Sequence, residues 1–215
     1  MIIKRISCKV KEGNKEKFYE HQKQWKPLKQ VKGFLGQIGG WSIKYPLTAC
    51  VYSFWKTQKD YGQFMEEKHD QIFVNSGQES TYESIDVSLF QEKLRVPGAE
   101  DNIVNVVKIA NYIRVAMSQV KEDKIIHFVD MQEEVWNTGM KKSKGMLGGT
   151  FSFSQKQSND FLIFTGWESE DYHQHYMEAN FPELLKTAKP LNDVLKLRGE
   201  QFTVEEAWRV YPKDC

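Results

Sequence analysis

His69 is the residue of this sequence whose type and spacing best suit proton transfer. It lies four residues after Met65 and three before Ile72, so in a helix these side chains share one inward face. A neutral imidazole beside a cavity can take a proton from a phenol or from an enolisable carbon. An aromatic compound deprotonated in this way reacts with oxygen without flavin or metal. The alternative interpretation is a core histidine that is hydrogen-bonded to a backbone carbonyl.

The other four histidines form no comparable arrangement. His173 and His175 are two residues apart, a separation that turns helical side chains about 200° away from each other, so the pair cannot hold one metal ion. We therefore expect at least one of them to be exposed, and we predict no metal site. His21 and His127 are predicted to lie on the surface or at an interface.

Aromatic side chains recur along the chain and suit either core packing or contact with a ligand. Trp25, Trp55, Trp136 and Trp167 stand at corresponding places in the two halves of the sequence, which favours packing as their main role. The wall of a binding pocket is the alternative. The residues predicted to contact a ligand are Trp25, Trp55, Tyr61, Phe64, Met65, Trp136, Trp167 and Tyr176.

The two halves of the chain are copies of one unit. The segment Lys32-Gly33-Phe34-Leu35-Gly36 recurs as Lys144-Gly145-Met146-Leu147-Gly148, and in each copy a Trp follows the first glycine by 22 residues. A Met-Glu pair follows each Trp by ten residues, and near the end of each copy Leu94-Arg95-Val96 corresponds to Trp208-Arg209-Val210. An ordered series of matches at equal spacing indicates a tandem duplication.

Each copy is predicted to contain the elements βαββαβ. In copy one the predicted strands are Ile2–Val10, Phe34–Ser42, Thr48–Trp55 and Ser84–Val96. In copy two they are Ile103–Met117, Leu147–Ser154, Phe161–Trp167 and Gln201–Val210. One helix follows the first strand and another follows the third. Pro27 is expected to end the first helix of copy one early.

This order of elements is that of the ferredoxin-like fold, an antiparallel four-stranded sheet with both helices on one face. The other face of each sheet needs cover, and the second copy is the nearest partner. We therefore predict an α+β protein of tandem ferredoxin-like repeats that form an intramolecular dimeric α/β barrel. The repeats are predicted to span residues 1–98 and 99–215, with Val96-Pro97-Gly98-Ala99 as the linker.

Charge and composition exclude several classes of partner. The 215 residues include 30 Lys and Arg against 29 Asp and Glu, so no net field attracts nucleic acid or an acidic membrane. The charged start Met1–Arg5 is unlike a signal peptide, and no apolar run approaches the ~20 residues of a membrane span. A cytoplasmic location is therefore predicted.

The three cysteines, Cys8, Cys50 and Cys215, are widely spaced and contain no CxxC pair. Neither a disulfide framework nor a zinc-thiolate site is therefore indicated. Cys8 and Cys50 are interpreted as small apolar residues of strands.

One stretch of the second copy resembles a known family. Trp167-Glu168-Ser169-Glu170-Asp171-Tyr172, preceded by Gly145-Met146-Leu147-Gly148, is similar to the hallmark of the antibiotic-biosynthesis-monooxygenase group of dimeric α/β-barrel proteins. Residues 55–61 form a looser version, and the whole chain resembles a bacterial family of fused, two-copy members. The resemblance implies a largely apolar cavity between each sheet and its helices. Some members of the group oxidise aromatic polyketides without a cofactor, and others bind and degrade haem.

Only one functional position of the monooxygenase-like relatives is present here. In those relatives two histidines lie nine and fourteen residues after the Trp. Copy one has Phe64 and His69 at these places, and copy two has Tyr176 and Phe181. The resemblance therefore implies one functional pocket, in copy one, and a second pocket retained for packing.

The pattern of the haem-degrading relatives is not matched. They have an Asn in the first strand, a second Trp nine residues after the first and a His nineteen residues after it. The corresponding residues here are Ile6 and Ala116, Phe64 and Tyr176, and Val74 and Lys186.

The resulting expectation is a protein that binds a small apolar or aromatic molecule, with His69 as the catalytic residue of a cofactor-independent, monooxygenase-like reaction. Two alternatives stay open: a non-catalytic ligand-binding or haem-binding stress-response module, and a solid barrel that acts through contacts with other proteins. Either a monomer, as a pseudo-dimer, or a further homodimer is compatible with the sequence.

Overall fold

The computed structural model describes residues 1–213 and divides them into two compact units. Unit 1 consists of Met1–Leu89 and the segment from Phe202 onwards, and unit 2 consists of Phe90–Gln201. Cys215 lies outside the described residues. The repeat boundaries at 1–98 and 99–215 stay a prediction. The compact units are not the same as the repeats, because the end of copy one belongs to unit 2 and the end of copy two belongs to unit 1.

Unit 1 has four strands in the order β2-β3-β1-β4. The strands are β1 Ile2–Val10, β2 Phe34–Trp41, β3 Thr48–Trp55 and β4 Tyr82–Val96, of which residues 82–89 belong to this unit. Helix α1, Lys15–Gln22, continues as a 3-10 helix, Lys23–Gln30. A second helical run consists of α2 Gln58–Phe64, a π turn Met65–His69 and α3 Asp70–Ser76, followed by a 3-10 helix Gln78–Thr81.

Unit 2 repeats this plan with one added helix. The end of β4 is followed by α4 Ile103–Ile109, β5 Tyr112–Val120, a 3-10 turn Glu122–Lys124, α5 Ile125–Met131, a π turn Gln132–Asn137 and α6 Thr138–Lys141. Then come β6 Met146–Ser154, β7 Asp160–Trp167, α7 Glu170–Ala179, α8 Phe181–Ala188, a 3-10 turn Pro190–Asn192 and β8 Val194–Thr203. The strand order is β4-β6-β7-β5-β8. The predicted fold class, α+β with tandem ferredoxin-like repeats, is confirmed.

The turn from the third strand into the next helix is built identically in both units. Thr57 is the N-cap of α2 and accepts a hydrogen bond from the backbone N–H of Asp60 at 3.1 Å. Ser169 caps α7 in the same way, through the N–H of Tyr172 at 3.3 Å. Each cap satisfies a backbone donor that the first helical turn leaves without a partner, so the helix begins three residues after the Trp.

A glycine faces this turn in both units. Gly33 has φ +73° and Gly145 has φ +77°, a backbone conformation that residues other than glycine rarely adopt. A Cβ atom at Gly33 would overlap Asp60, and one at Gly145 would overlap Tyr172. The repeated glycine therefore provides both the turn and the space for the helix start.

The last residues of each copy pair within the unit built mainly by the other copy. Val96 lies opposite Gly149 of β6 in unit 2. Val210 pairs with Gln37 of β2 in unit 1 through two backbone hydrogen bonds, at 2.7 and 3.0 Å. The correspondence of Leu94-Arg95-Val96 with Trp208-Arg209-Val210 is thus also a correspondence in space.

The predicted strand Ile103–Met117 is wrong over its first half, where α4 lies. Its residues Ile103, Val106, Val107 and Ala110 are buried, a spacing of three and four that places them on one face of a helix. The side chain of Asn102 caps the helix by accepting from the N–H of Asn105 at 2.9 Å. The β-branched residues suggested a strand, but tertiary burial and the cap decide the conformation.

Two further boundaries differ from the prediction. The last strand of copy two is Val194–Thr203 instead of Gln201–Val210, because a 3-10 turn, Glu206–Trp208, interrupts the segment before Val210. Pro27 does not end the first helical segment: α1 changes to a 3-10 helix after Gln22, and that helix continues to Gln30. The other predicted strands lie within two residues of those observed.

Cys8 and Cys50 lie buried in β1 and β3, as the sequence predicts. Among the described residues, no helix combines the length and the apolar character that crossing a membrane requires. The cytoplasmic location stays a prediction.

Candidate functional site

Unit 1 contains a cavity of about 290 Å³ between its sheet and its helices. Residues of β1, β3 and β4, with Gln37 of β2, line it from the sheet, and the two helical runs line it from the other side. Five of the side chains predicted to contact a ligand line it, together with His69: Trp25, Trp55, Tyr61, Phe64 and Met65. The size lies at the lower end of the range of small-molecule pockets, about 300 to 1,000 Å³.

His69 is the last residue of the π turn and lies on the wall of this cavity. A π turn contains one residue more than an α-helical turn and thereby changes the direction of the side chains around it. The Nδ1 atom of His69 lies 2.9 Å from a carboxylate oxygen of Asp70. If Nδ1 carries the proton and donates it to this oxygen, the lone pair is on Nε2, the atom that can act as a base.

Three aromatic rings lie close to the imidazole of His69. Its ring centroid lies 5.6 Å from that of Trp25, 5.8 Å from that of Phe64 and 5.9 Å from that of Phe73, to which the imidazole is nearly parallel. The side chain is 18% exposed. The imidazole therefore packs among aromatic rings and stays partly exposed.

Two amides connect the aromatic wall by hydrogen bonds. The indole N–H of Trp25 donates to Gln78 at 3.1 Å, and the amide of Gln78 donates to Gln22 at 2.7 Å. All three side chains are buried and line the cavity. These hydrogen bonds pair buried polar atoms that would otherwise lack partners on an otherwise largely apolar wall.

Lys4 is a lining residue that the sequence interpretation missed. It lies in the middle of β1, opposite Ser53, and is 6% exposed. Burial lowers the pKa of its amine from 10.5 to about 8. A signal was present in the sequence: Ile2, Lys4, Ile6 and Cys8 alternate along the strand, so the lysine falls in the inward series.

The remaining ionisable groups on the wall are held in their neutral forms. Burial raises the pKa of the Cys8 thiol to about 12 and also raises the pKa of Tyr61. The pKa of Tyr82 is raised first by burial and then by nearby negative charge. These groups therefore provide hydrogen-bonding atoms near pH 7 but no charge.

The corresponding cavity of unit 2 is much smaller, about 70 Å³. Trp136 and Phe181 line it, with ring centroids 5.6 Å apart, at the places that Trp25 and His69 occupy in unit 1. Trp167 and Tyr176 instead lie in the core of this unit, with ring centroids 5.1 Å apart. Of the residues predicted to contact a ligand in copy two, Trp136 lines this cavity, whereas Trp167 and Tyr176 do not.

The histidines of α7 behave differently from each other. His175 is exposed, as expected for at least one of the pair, whereas His173 is buried against Trp167 and Tyr112. Burial first, and then the charge of Arg114, lowers the pKa of His173 to about 4. Within residues 1–213 no group of three His, Cys, Asp or Glu side chains is placed to hold a metal ion.

The remaining two histidines lie away from both cavities. His21 is half-buried beside Gly77, and His127 is exposed and lies 2.8 Å from a carboxylate oxygen of Asp193.

Sequence comparison gives the family. A model described as a domain of unknown function, DUF4937, matches residues 2–90, which lie in copy one. The protein YdbC of Bacillus subtilis (strain 168), described as uncharacterized, is 39% identical over 94 residues, which cover 43% of this chain and 79% of YdbC. The chain belongs to the DUF4937 family. Since 94 residues are about the length of one repeat, this DUF4937 protein matches YdbC over one copy.

Solved structures show the fold of this DUF4937 protein. A proposed monooxygenase from Fusobacterium nucleatum subsp. nucleatum ATCC 25586 superposes with a TM-score of 0.78 at 10% identity, covering 94% of this chain and 91% of the other. A ferredoxin-fold protein related to antibiotic biosynthesis monooxygenases, from Listeria monocytogenes 4b F2365, gives a TM-score of 0.53 at 8% identity and covers 96% of both chains. The resemblance to this group is thus confirmed for the fold.

Proposed function

We propose that unit 1 binds a small apolar or aromatic molecule and that His69 acts as the base of a cofactor-independent oxygenation of it. The observation that carries this proposal is the place of His69 on the wall of the 290 Å³ cavity, with Nδ1 next to the Asp70 carboxylate. The fold shared with monooxygenase-like proteins supports it by analogy.

The shape and chemistry of the cavity favour a compact, planar molecule. The rings of Trp55 and Phe64 stack with centroids 4.7 Å apart on one part of the wall, and those of Trp25 and His69 form another part. Aromatic faces pack most favourably against other aromatic or apolar surfaces. A cavity of 290 Å³ has room for a few fused rings and is small for a tetrapyrrole.

The proposed reaction needs the ligand, dioxygen and this one base. Nε2 of His69 takes a proton from a methylene group that is conjugated with a carbonyl through the aromatic rings, and the electron pair stays in the ring system of the ligand. The anion transfers electrons to dioxygen and forms a C–O bond, and the proton returns to the terminal oxygen to give a hydroperoxide. Loss of water then leaves a carbonyl, so one dioxygen is consumed for each water and each ketone formed. The reaction would take place in the cytoplasm that the sequence predicts.

The cavity of unit 2 is proposed to have no catalytic role. Unit 2 has Phe181 at the place of His69 and a cavity of only about 70 Å³. A phenyl ring has no lone pair with which to take a proton.

A suitable test uses 1,8-dihydroxyanthrone, whose methylene is acidic because it lies between aromatic rings and opposite a carbonyl. Dioxygen consumption and formation of the anthraquinone are measured against spontaneous oxidation in buffer. We expect turnover by the wild-type protein and a decrease of about a hundredfold or more in His69→Ala. His175→Ala, which changes an exposed histidine of unit 2, is the matched control and should leave the rate unchanged.

Binding is measured separately, by the change in tryptophan fluorescence on addition of the anthrone. We expect His69→Ala to bind within a few-fold of wild type, since the aromatic wall stays in place. Wild-type turnover by His69→Ala, or no oxidation above the spontaneous rate by the wild-type protein, would contradict the proposal.

A further inference from the structure

Lys4 is the only lining residue of the unit 1 cavity that can carry a full positive charge without a carboxylate beside it, among residues 1–213. Its Nζ lies 4.0 Å from Sδ of Met65 and 5.8 Å from the ring centroid of Tyr61. A thioether and an aromatic face interact with an ammonium group much more weakly than a carboxylate does. The cation is therefore buried without an opposite charge.

Neighbouring cations on the same strand have carboxylate partners. Arg5 lies 2.5 Å from Asp86, and Lys9 lies 2.6 Å from Glu83. No Asp or Glu lies among the described residues that line the cavity. A buried charge lowers stability unless it is paired. A negatively charged partner for Lys4 would therefore have to come from a ligand in the cavity.

We propose that Lys4 binds an anionic oxygen of the ligand, and that the ligand of unit 1 is an aromatic compound with one carboxylate, phenolate or enolate group. The apolar rings would lie against Trp25, Trp55 and Phe64, and the anionic group would lie at Nζ of Lys4. This inference rests on the proposed function for its cavity and adds the class of ligand.

The second copy supports this assignment independently of His69. Arg114 occupies the same register position in β5, opposite Thr165, that Lys4 occupies opposite Ser53 in β1. The indole N–H of Trp55 donates to Ser53, and that of Trp167 donates to Thr165, both at 3.1 Å.

Arg114 also lines the cavity of its unit, and burial lowers its pKa. No Asp or Glu lines that cavity among the described residues. Both copies thus keep a cation at this position, although only one keeps the histidine.

Binding of an anion beside the Lys4 amine should change the number of protons that the protein holds. With a pKa of about 8, the Lys4 amine is partly neutral at pH 8.5, and an anion beside it favours the charged form. The other titratable groups that face the cavity are Cys8, Tyr61, Tyr82 and His69. Binding of an anion at pH 8.5 should therefore take up protons from the buffer.

The test compares 2-naphthoate with 2-naphthamide, which have the same rings and differ in charge. Dissociation constants are measured by calorimetry at pH 8.5 in two buffers of different ionisation enthalpy. We expect the wild-type protein to bind naphthoate at least about tenfold more tightly than naphthamide, the size of one charge-assisted hydrogen bond. We also expect proton uptake with naphthoate only.

In Lys4→Met, which keeps the length of the side chain, the preference and the proton uptake should both disappear while naphthamide binds as before. Lys4→Arg should keep the preference for naphthoate. The matched control is Lys9→Met on the same strand, where the lysine is exposed and paired, and it should behave as wild type. Unchanged naphthamide binding shows that Lys4→Met is folded.

Equal affinity of the wild-type protein for both probes, a preference that survives in Lys4→Met, or failure of both probes to bind overturns the assignment of Lys4. These outcomes are distinct from failure of the proposed oxygenation. The naphthoate preference requires no turnover and should persist in His69→Ala, whereas anthrone oxidation tests His69 itself.

Discussion

His69 and Trp25 lie with their ring centroids 5.6 Å apart on the cavity wall of unit 1. The rings of Phe181 and Trp136 have the same separation in unit 2, so an imidazole and a phenyl ring occupy equivalent places against an indole. The two copies therefore differ in the chemistry of this position more than in its packing.

The first prediction exchanges these two side chains. We expect His69→Phe to keep the melting temperature within a few degrees, because the second copy already packs a phenyl ring at this place. The variant should lose anthrone oxidation. Phe181→His should lower the melting temperature, because it leaves a polar ring among the apolar residues of the unit 2 core. Calorimetric melting and dioxygen consumption measure both effects, and anthrone oxidation by His69→Phe at the wild-type rate would rule the interpretation out.

The second prediction concerns the glycine that faces the start of α2. Gly33→Ala should lower the free energy of unfolding by about 1–3 kcal/mol or more, because φ is positive and the new methyl group overlaps Asp60. Gly62→Ala is the control: nothing lies within 4 Å of its Cβ position, and it is inside α2.

In Gly62→Ala the substitution should increase the free energy of unfolding by about 0.5–1 kcal/mol. Urea unfolding measures both variants. Equal effects in the two would show that the turn tolerates a side chain.

The third prediction is a pH dependence caused by His173. Its pKa is lowered from 6.5 to about 4 in the folded protein, so between these values the unfolded chain binds more protons than the folded one. Stability should therefore decrease as the pH falls from about 6.5 to about 4, by on the order of 2 kcal/mol from this residue.

Urea unfolding at pH 7 and at pH 4.5 measures this loss. The loss of stability between pH 7 and pH 4.5 should be smaller in His173→Phe, because this variant lacks the titrating histidine. His175 is exposed, so His175→Phe should resemble wild type. An identical loss in wild type and His173→Phe would argue against a neutral, buried His173.

The fourth prediction is that Lys4 lowers stability. Because its pKa falls from 10.5 to about 8 on folding, the folded state disfavours the charged amine, and the whole penalty is present below about pH 8. Lys4→Met should raise the free energy of unfolding at pH 7 by on the order of 1–3 kcal/mol.

This gain should shrink as the pH rises from about 8 to about 10.5, where the unfolded lysine also loses its proton. Lys9→Met should change stability by less than about 1 kcal/mol, because an exposed ion pair contributes little. A destabilised Lys4→Met would mean that the amine has a structural partner.

Much of the fold follows from the sequence because the repeated segment fixes both copies at once. The glycine of each repeat immediately precedes a strand, β2 in copy one and β6 in copy two. The Trp that follows it by 22 residues is the last residue of the next strand, β3 or β7. The inward direction of His69 also follows from its spacing to Met65 and Ile72. The π turn around it does not, since no local residue pattern distinguishes a π turn from an α-helix.

The misassigned segments have identifiable causes. The β-branched residues of α4 indicate a strand by their propensity. The opposing signal in the sequence is Asn102, a residue type typical of helix N-caps, and it caps α4. Lys4 was overlooked because lysine in a strand is usually solvated, although the alternation of Ile2, Lys4, Ile6 and Cys8 places it in the inward series, as the structure shows. The exchange of repeat ends depends on contacts between distant residues, such as Gln37 with Val210, which local patterns do not report.

The place of residues from Phe202 onwards in unit 1 has a consequence for biosynthesis. A chain leaves the ribosome from its N-terminus, so residues 90–201 emerge before the segment from Phe202 onwards that contributes to unit 1. The unit that carries His69 would thus be completed last, although most of its residues are made first. A released fragment that ends at Gln201 should contain a folded unit 2 and lack the pairing of Gln37 with Val210.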